Sequence, residues 1–223
     1  MSTSSPITKI TAEEIKDSRG NPTLKVTVFA GEYASSFSVP SRASTGAHEA
    51  HELRDPDGKG VKNAIKKVEE MIAPALVGKD VSNQKEIDKI MCDLDGTPNK
   101  KNLGGNSIIG VSIACAKTAA KVQGLQTFEY LGTLAEIKPS RKVPQLYMNL
   151  TNGGKHAHNG LAFQEHMIVP QTFDVKEAVE IGVAVQNTLK EIIVRDLGVD
   201  SITLGDEGGF APEVVDLRQP LFY

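Results

Sequence analysis

Residues 23–29, TLKVTVF, put Leu24, Val26 and Val28 on one side of an extended chain and Lys25 and Thr27 on the other. That period of two specifies a strand with one buried face. Such a strand needs neighbours, and ITKITAEEI before it and YASSFSVP after it supply them. Turns at Asn21-Pro22 and Ala30-Gly31 join the three, so an antiparallel meander is predicted.

Helical spacing follows. Val61, Ile65, Val68 and Ile72 repeat on one face, then Ile87, Ile90, Met91 and Leu94, with Asn83 and Glu86 placed as a capping box. Residues 106–123, rich in Ala, Ser and Ile, predict a closely packed helix that ends at Gly124. Strands followed by helices give an α+β unit. Two prolines and three basic residues in IKPSRKVPQ, 137–145, break the periodicity and mark a linker.

Beyond it, QLYMNL and AFQEHMIVP read as strands. Residues 174–197 read as an amphipathic helix with Ala178, Val185, Leu189 and Ile193 inside, capped by Asp174 and Glu177 and ended by Gly198. SITLG, 201–205, reads as a further strand. A helix between strands is the pattern of a parallel sheet or barrel.

Composition narrows the function classes. The 223 residues are 39% hydrophobic and 24% charged, with 25 Lys and Arg against 28 Asp and Glu, which describes a globular domain rather than a disordered one. No basic surplus and an aromatic share of 5% speak against nucleic acid as partner. No apolar run has the length of a membrane span and the first residues lack a signal-peptide pattern, so a cytoplasmic location is expected. Cys92 and Cys115, without a CxxC pair, read as small buried hydrophobes. The sequon Asn149-Leu150-Thr151 is discounted, since a chain outside the secretory route cannot use it.

Three loops could carry chemistry. In VPSRASTGAHEAHELRD, residues 39–55, the hydroxyls of Ser41, Ser44 and Thr45 beside Gly46 suit a lid over phosphate or a ligand for a hard cation, although such clusters are more often turns. His48 and His51 stand three apart, yet Glu49 and Glu52 make a solvated helix start the preferred reading. In TNGGKHAHNGLAFQE, residues 151–165, two glycines permit close approach of a ligand. His156, His158, Gln164 and Glu165 lie within reach of one pocket, and a plain hairpin turn fits equally well. An HxH pair occurs in zinc sites, but no Cys or further His completes one, so zinc is not expected there. In GDEGGF, Asp206 and Glu207 at a strand end occupy the place where barrel enzymes put catalytic groups, and a carboxylate near another charge can hold a proton as a general acid; the composition is also that of a common turn.

Taken together and in order, DSRGNPTLKV, ASTGAHEAHELRD, GKGVKNAI, IAPAL, LDGTPNKKNLGGNSIIGVSIA, NGGKHAHNGLAFQE and GDEGGFAP resemble the enolase family, in register from Ile10 to Pro212. The resemblance implies an α+β N-terminal capping domain, antiparallel meander plus helices, over residues 6–136. It implies the incomplete start of an enolase-type (β/α)8 barrel over 143–223. It implies Mg2+-dependent interconversion of 2-phosphoglycerate and phosphoenolpyruvate in glycolysis, a lyase reaction.

By position in the matching motifs, Ser44 would ligate Mg2+, and His156, Gln164 and Glu165 would contact substrate. Glu165 would stand beside the reacting group, and Glu207 would be the proton donor. Arg42 replaces a usual glycine in the mobile loop, His158 and His166 replace small and aromatic residues, and LRDPDGKGV is a shorter connection than usual.

The family pattern also implies roughly as much chain again, holding three metal carboxylates, a Lys base and a phosphate-binding Arg. EVVDLRQPLFY does not resemble its continuation, so the chain reads as truncated within the barrel and inactive alone. The rival expectation is a non-catalytic isoform or remnant that binds full-length enolase, with Ser18-Arg19-Gly20 near an oligomer contact.

Overall fold

The computed structural model describes residues 5–41, 46–140, 142–214 and 216–223, which form two compact units, 1–139 and 140–223.

The first unit opens with strands β1 (Ile7–Lys16), β2 (Pro22–Ala30) and β3 (Tyr33–Ser38). They form the expected antiparallel meander in the order β1-β2-β3. Val26 pairs with Ala12 on one side and Phe37 on the other. Leu24, Val26 and Val28 are fully buried, as the alternation requires.

Helix α4 (Gly105–Val122) covers that face. A Cβ at Gly110 would stand 2.8 Å from Val26 Cγ2 and 3.2 Å from Val39 Cγ2, so the missing side chain sets how closely helix and sheet approach. Thr118 Oγ1 donates to the Val28 carbonyl at 3.3 Å and Lys117 Nζ to that of Ser36 at 2.8 Å, which fixes the helix along the strands.

The helix expected through Val61, Ile65, Val68 and Ile72 forms with an irregular middle. Segment α1 (Lys62–Lys67) passes into a π-helical turn, Val68–Ile72, before α2 (Ala73–Leu76). Pro74 has no N–H and its ring would crowd the carbonyl four residues back. The chain widens there, and the Ala73 N–H reaches Val68 O, five residues away.

Helix α3 (Gln84–Asp95) begins at Asn83, whose side chain accepts the Glu86 N–H, and ends at Gly96 in the left-handed region. Helix α5 (Thr127–Leu134) lies outside the sequence expectations. Its signal was the capping pair of Gln126 and Glu129, and Tyr130 buries its apolar side.

The helix start expected around His48 and His51 does not form. Its backbone bonds outward: His51 N–H donates to Asn99 O, His51 O accepts the Gly105 N–H, and Asn106 brackets Leu53 through both side-chain atoms. These ties keep residues 51–53 out of helical bonding, the Glu49 N–H closes only a turn on Gly46 O, and both imidazoles are exposed.

In the second unit, β4 (Met148–Asn152) and β5 (Glu165–Ile168) pair antiparallel, with a register shift between Asn149 and Thr151. Helix α6 (Val175–Leu197) is capped by Asp174, whose carboxylate accepts the Lys176 and Glu177 amides, and stops at Gly198.

The strand expected at SITLG is corrected: Val199–Ser201 is a 3-10 turn, and Leu204 makes only an isolated antiparallel bridge to Phe210. The chain reverses between them through Gly208, at φ 81, so no partner strand can extend. Parallel pairing is limited, among the described residues, to the Thr151–Phe210 bridge. The apolar core here is small: Leu189, Ile193 and Phe210, flanked by Leu150, Leu197, Ile202 and Tyr223. No single described helix is long and apolar enough to cross a membrane.

Candidate functional site

The end of β4 organises the second unit. Asn152 is fully buried and uses its backbone and both side-chain atoms. Its N–H donates to Phe210 O at 2.8 Å, Oδ1 accepts the Gly209 N–H at 3.0 Å, and Nδ2 donates to Gln164 O at 3.3 Å. Three segments distant in sequence meet on this one residue. No side chain fits at Gly209, where a Cβ would stand 2.8 Å from Asn152 Oδ1.

The loop after β4 folds back in the same way. Gly153 N–H donates to Gln164 O at 3.0 Å and Gly154 N–H to Leu161 O at 2.7 Å. Gly154 adopts φ 53, which a β-carbon would strain. A 3-10 turn, Gly154–His156, then delivers the His156 ring to the interior, where the residue is 6% exposed. Its carbonyl accepts the Asp206 N–H at 3.0 Å, which draws the GDEGGF loop alongside.

The result is one cluster. His156 Nε2 stands 3.5 Å from Glu165 Oε1 and 3.9 Å from Glu207 Oε1. The Glu207 side chain is 44% exposed, and its other oxygen, Oε2, accepts from Asn149 Nδ2 at 3.0 Å. His156 Nδ1 and Asn149 Oδ1 are buried without a protein partner. Neither Glu165 nor Glu207 pairs with a Lys or Arg among the described residues, so two carboxylates face one imidazole without a compensating cation.

The remaining predicted residues are placed as follows. Gln164 contributes its carbonyl to the Asn152 and Gly153 bonds while the residue itself is exposed. His158 is exposed and lines, with Lys155, Thr203, Asp206 and Glu213, a cleft of about 280 Å3 beside the cluster; neither Glu165 nor Glu207 lines it. His166 Nε2 lies 3.3 Å from Leu217 O, away from the cluster's ligating atoms. Ser44 and Arg42 lie outside the described residues. Asn149 and Asn152 were missed as site residues: Asn149 drew notice only for its sequon, and a buried asparagine has no sequence signature of its own.

His156, Glu165 and Glu207 are the one group of three or more metal-ligating side chains among the described residues, their ligand atoms all within 4.8 Å of one another. The group does not fit Mg2+, which prefers an octahedron of oxygens and retains water, because one of its three donors is an imidazole nitrogen.

Comparison with known proteins places these features in context. Residues 7–131 match the model of the enolase N-terminal domain, and residues 140–221 match that of the enolase C-terminal TIM barrel domain. Enolase B of Dictyostelium discoideum is 49% identical over 221 residues, covering 96% of this chain and 50% of the relative. The enolase of Thermococcus kodakarensis is 47% identical with the same coverage, and that of Methanopyrus kandleri is 46% identical, covering 96% and 51%. The chain spans about half the length of the curated relatives it matches.

Proposed function

This chain belongs to the enolase family, and on that premise we propose that its second unit carries the acid side of the dehydration of 2-phosphoglycerate to phosphoenolpyruvate. In that reaction a proton leaves C2, the C3 hydroxyl leaves as water after accepting a proton, and a C=C bond forms. Glu207 is the proton donor to the departing hydroxyl. The Asn149 amide holds its Oε2, which leaves Oε1 turned toward His156 as the oxygen that can carry the proton. His156, Gln164 and Glu165 bind substrate, with Glu165 beside the reacting carbon.

The observation that supports this reading is the convergence of His156 Nε2 on both carboxylates, at 3.5 and 3.9 Å. Ser44 is assigned to Mg2+ by resemblance alone, and the other ligands of that ion would come from outside the described residues. A base for the C2 proton and a phosphate clamp are not among the residues proposed above, so these 223 residues alone are proposed to be inactive. A cytosolic setting follows from the proposed substrate.

The test is phosphoenolpyruvate formation by the purified chain, alone and mixed with a polypeptide spanning the other half of the T. kodakarensis relative. No turnover alone and turnover in the mixture are expected, falling by about 100-fold or more with Glu207→Gln. Turnover by the unaided chain, or a mixture indifferent to that substitution, would refute the assignment.

A second reading has an observation of its own. Tyr147, Phe163 and Phe173 are 69%, 59% and 67% exposed, and Val179 and Val183 of α6 face solvent as well. Apolar surface on that scale suits a chain that binds full-length enolase without catalysing. Co-migration with a full-length enolase on size exclusion, without turnover, would favour it.

A further inference from the structure

We propose that the outer edge of β3 is a strand-addition surface for the β3 of a second copy of this chain, held closed by the ammonium groups of Lys117 and Lys121. The inference concerns the first unit alone and does not depend on the enolase reading of the second.

β3 is the last strand of its sheet and pairs only with β2 among the described residues. In an antiparallel pair, alternate residues bond inward and the others turn both backbone groups outward. The Val39 N–H donates to Leu24 O at 2.7 Å, and stepping back by twos through the register makes Phe37, Ser35 and Tyr33 the inward-bonded set. Ala34, Ser36 and Ser38 therefore turn their N–H and C=O groups to the free edge. The strand reads YASSFS, with no charge and no proline of its own to discourage a further strand.

Two lysines of α4 reach that edge. Lys117 Nζ donates to Ser36 O and Lys121 Nζ to Ala34 O, each at 2.8 Å. Four residues of helix advance about 6 Å and two of strand about 6.7 Å, so one helical turn matches one repeat of outward carbonyls. Neither lysine is engaged with a carboxylate among the described residues, so both charges stay at the edge. The edge is also self-complementary. Its outward groups at 34, 36 and 38 are symmetric about Ser36, so a two-fold β3–β3 pair would set Ser36 against its own counterpart. That pairing needs the carbonyls the ammoniums occupy, and it would bring four like charges to one seam.

The experiment compares the full chain with Lys117→Met/Lys121→Met and with Lys117→Arg/Lys121→Arg, by light scattering over a range of concentrations and by hydrogen exchange of the β3 amides. Methionine keeps an apolar stem and removes the charge and the donor. The methionine pair is expected to associate to twice the mass of the parent's species. Exchange at Ala34, Ser36 and Ser38 should slow by about tenfold or more as its concentration rises, and the arginine pair should match the parent. If circular dichroism shows that the double variant does not fold, Lys121→Met alone, at an exposed position, retains the test through the same exchange readout. A methionine pair that keeps the parent's mass and exchange, even with a lower urea midpoint, would assign the lysines to helix docking and overturn the proposal. Association that leaves the β3 amides unprotected, or equal association by the arginine pair, would overturn it as well.

Discussion

Asn152 Oδ1 accepts the Gly209 amide at 3.0 Å, so one buried side chain holds the loop that presents Glu207. Asn152→Ala leaves that N–H buried and unpaired, and removes the Nδ2 bond to Gln164 O. A cost of about 1–3 kcal/mol is expected in urea unfolding of the second unit. Asn152→Asp keeps the acceptor but sets a buried carboxylate oxygen against the Gln164 carbonyl, so it should cost at least as much as alanine. A stability equal to the parent's in Asn152→Ala would show that the loop is held by other means.

Asp95 gives the first unit a dependence on acid. Burial works to raise its carboxyl, but bonds from Thr97 Oγ1 and from the Leu103, Thr97 and Asn102 amides outweigh it and hold it below the ordinary value of 3.8. A depressed acid contributes stability that is present above 3.8 and lost as pH falls through the lower folded value. Asp95→Asn should therefore cost about 1–3 kcal/mol at neutral pH and flatten the acid limb below pH 3.8. An unchanged acid limb in that variant would count against the account.

The two thiols should differ in reactivity. Burial pushes Cys115 up to about 12, while Cys92 is partly exposed. Titration of the native chain with a thiol reagent should consume one thiol quickly and the second only on unfolding. Equal rates would mean that α4 opens more readily than its packing implies.

Limited proteolysis should cut residues 140–223 before 1–139. Among the described residues the second unit's apolar cluster is Leu189, Ile193 and Phe210, with Leu161, Ala178, Ala211 and Val214 buried outside it, whereas the first packs a continuous core from Ile7 to Tyr130. Local opening free energy follows buried apolar contact. Cleavage first within β2 or α4 would contradict this ordering.

Periodicity by itself determined the first unit well. The alternation at 23–29 fixed both the strand and its buried face, because a period of two allows only one inward set. Asp174 and Gly198 fixed the ends of α6, because the first amides and the last turn of a helix need partners that particular residue types supply. The order of the loops along the chain likewise carries the family resemblance.

Tertiary structure decided the rest. SITLG has the composition of a strand, but Gly208 turns it against Phe210; His48 and His51 have the spacing of a helix, but Asn106 takes up both backbone groups of their neighbour Leu53. The ligand group was hidden for a related reason. His156 and His158 stand two apart in sequence, yet the carboxylates within 4 Å of the buried ring's Nε2 are those of Glu165 and Glu207, carried there by amide bonds to Asn152 and to the His156 carbonyl. Local spacing governs which residues can share one element's face, and only the hydrogen-bonded meeting of separate segments determines which side chains face one another across a site.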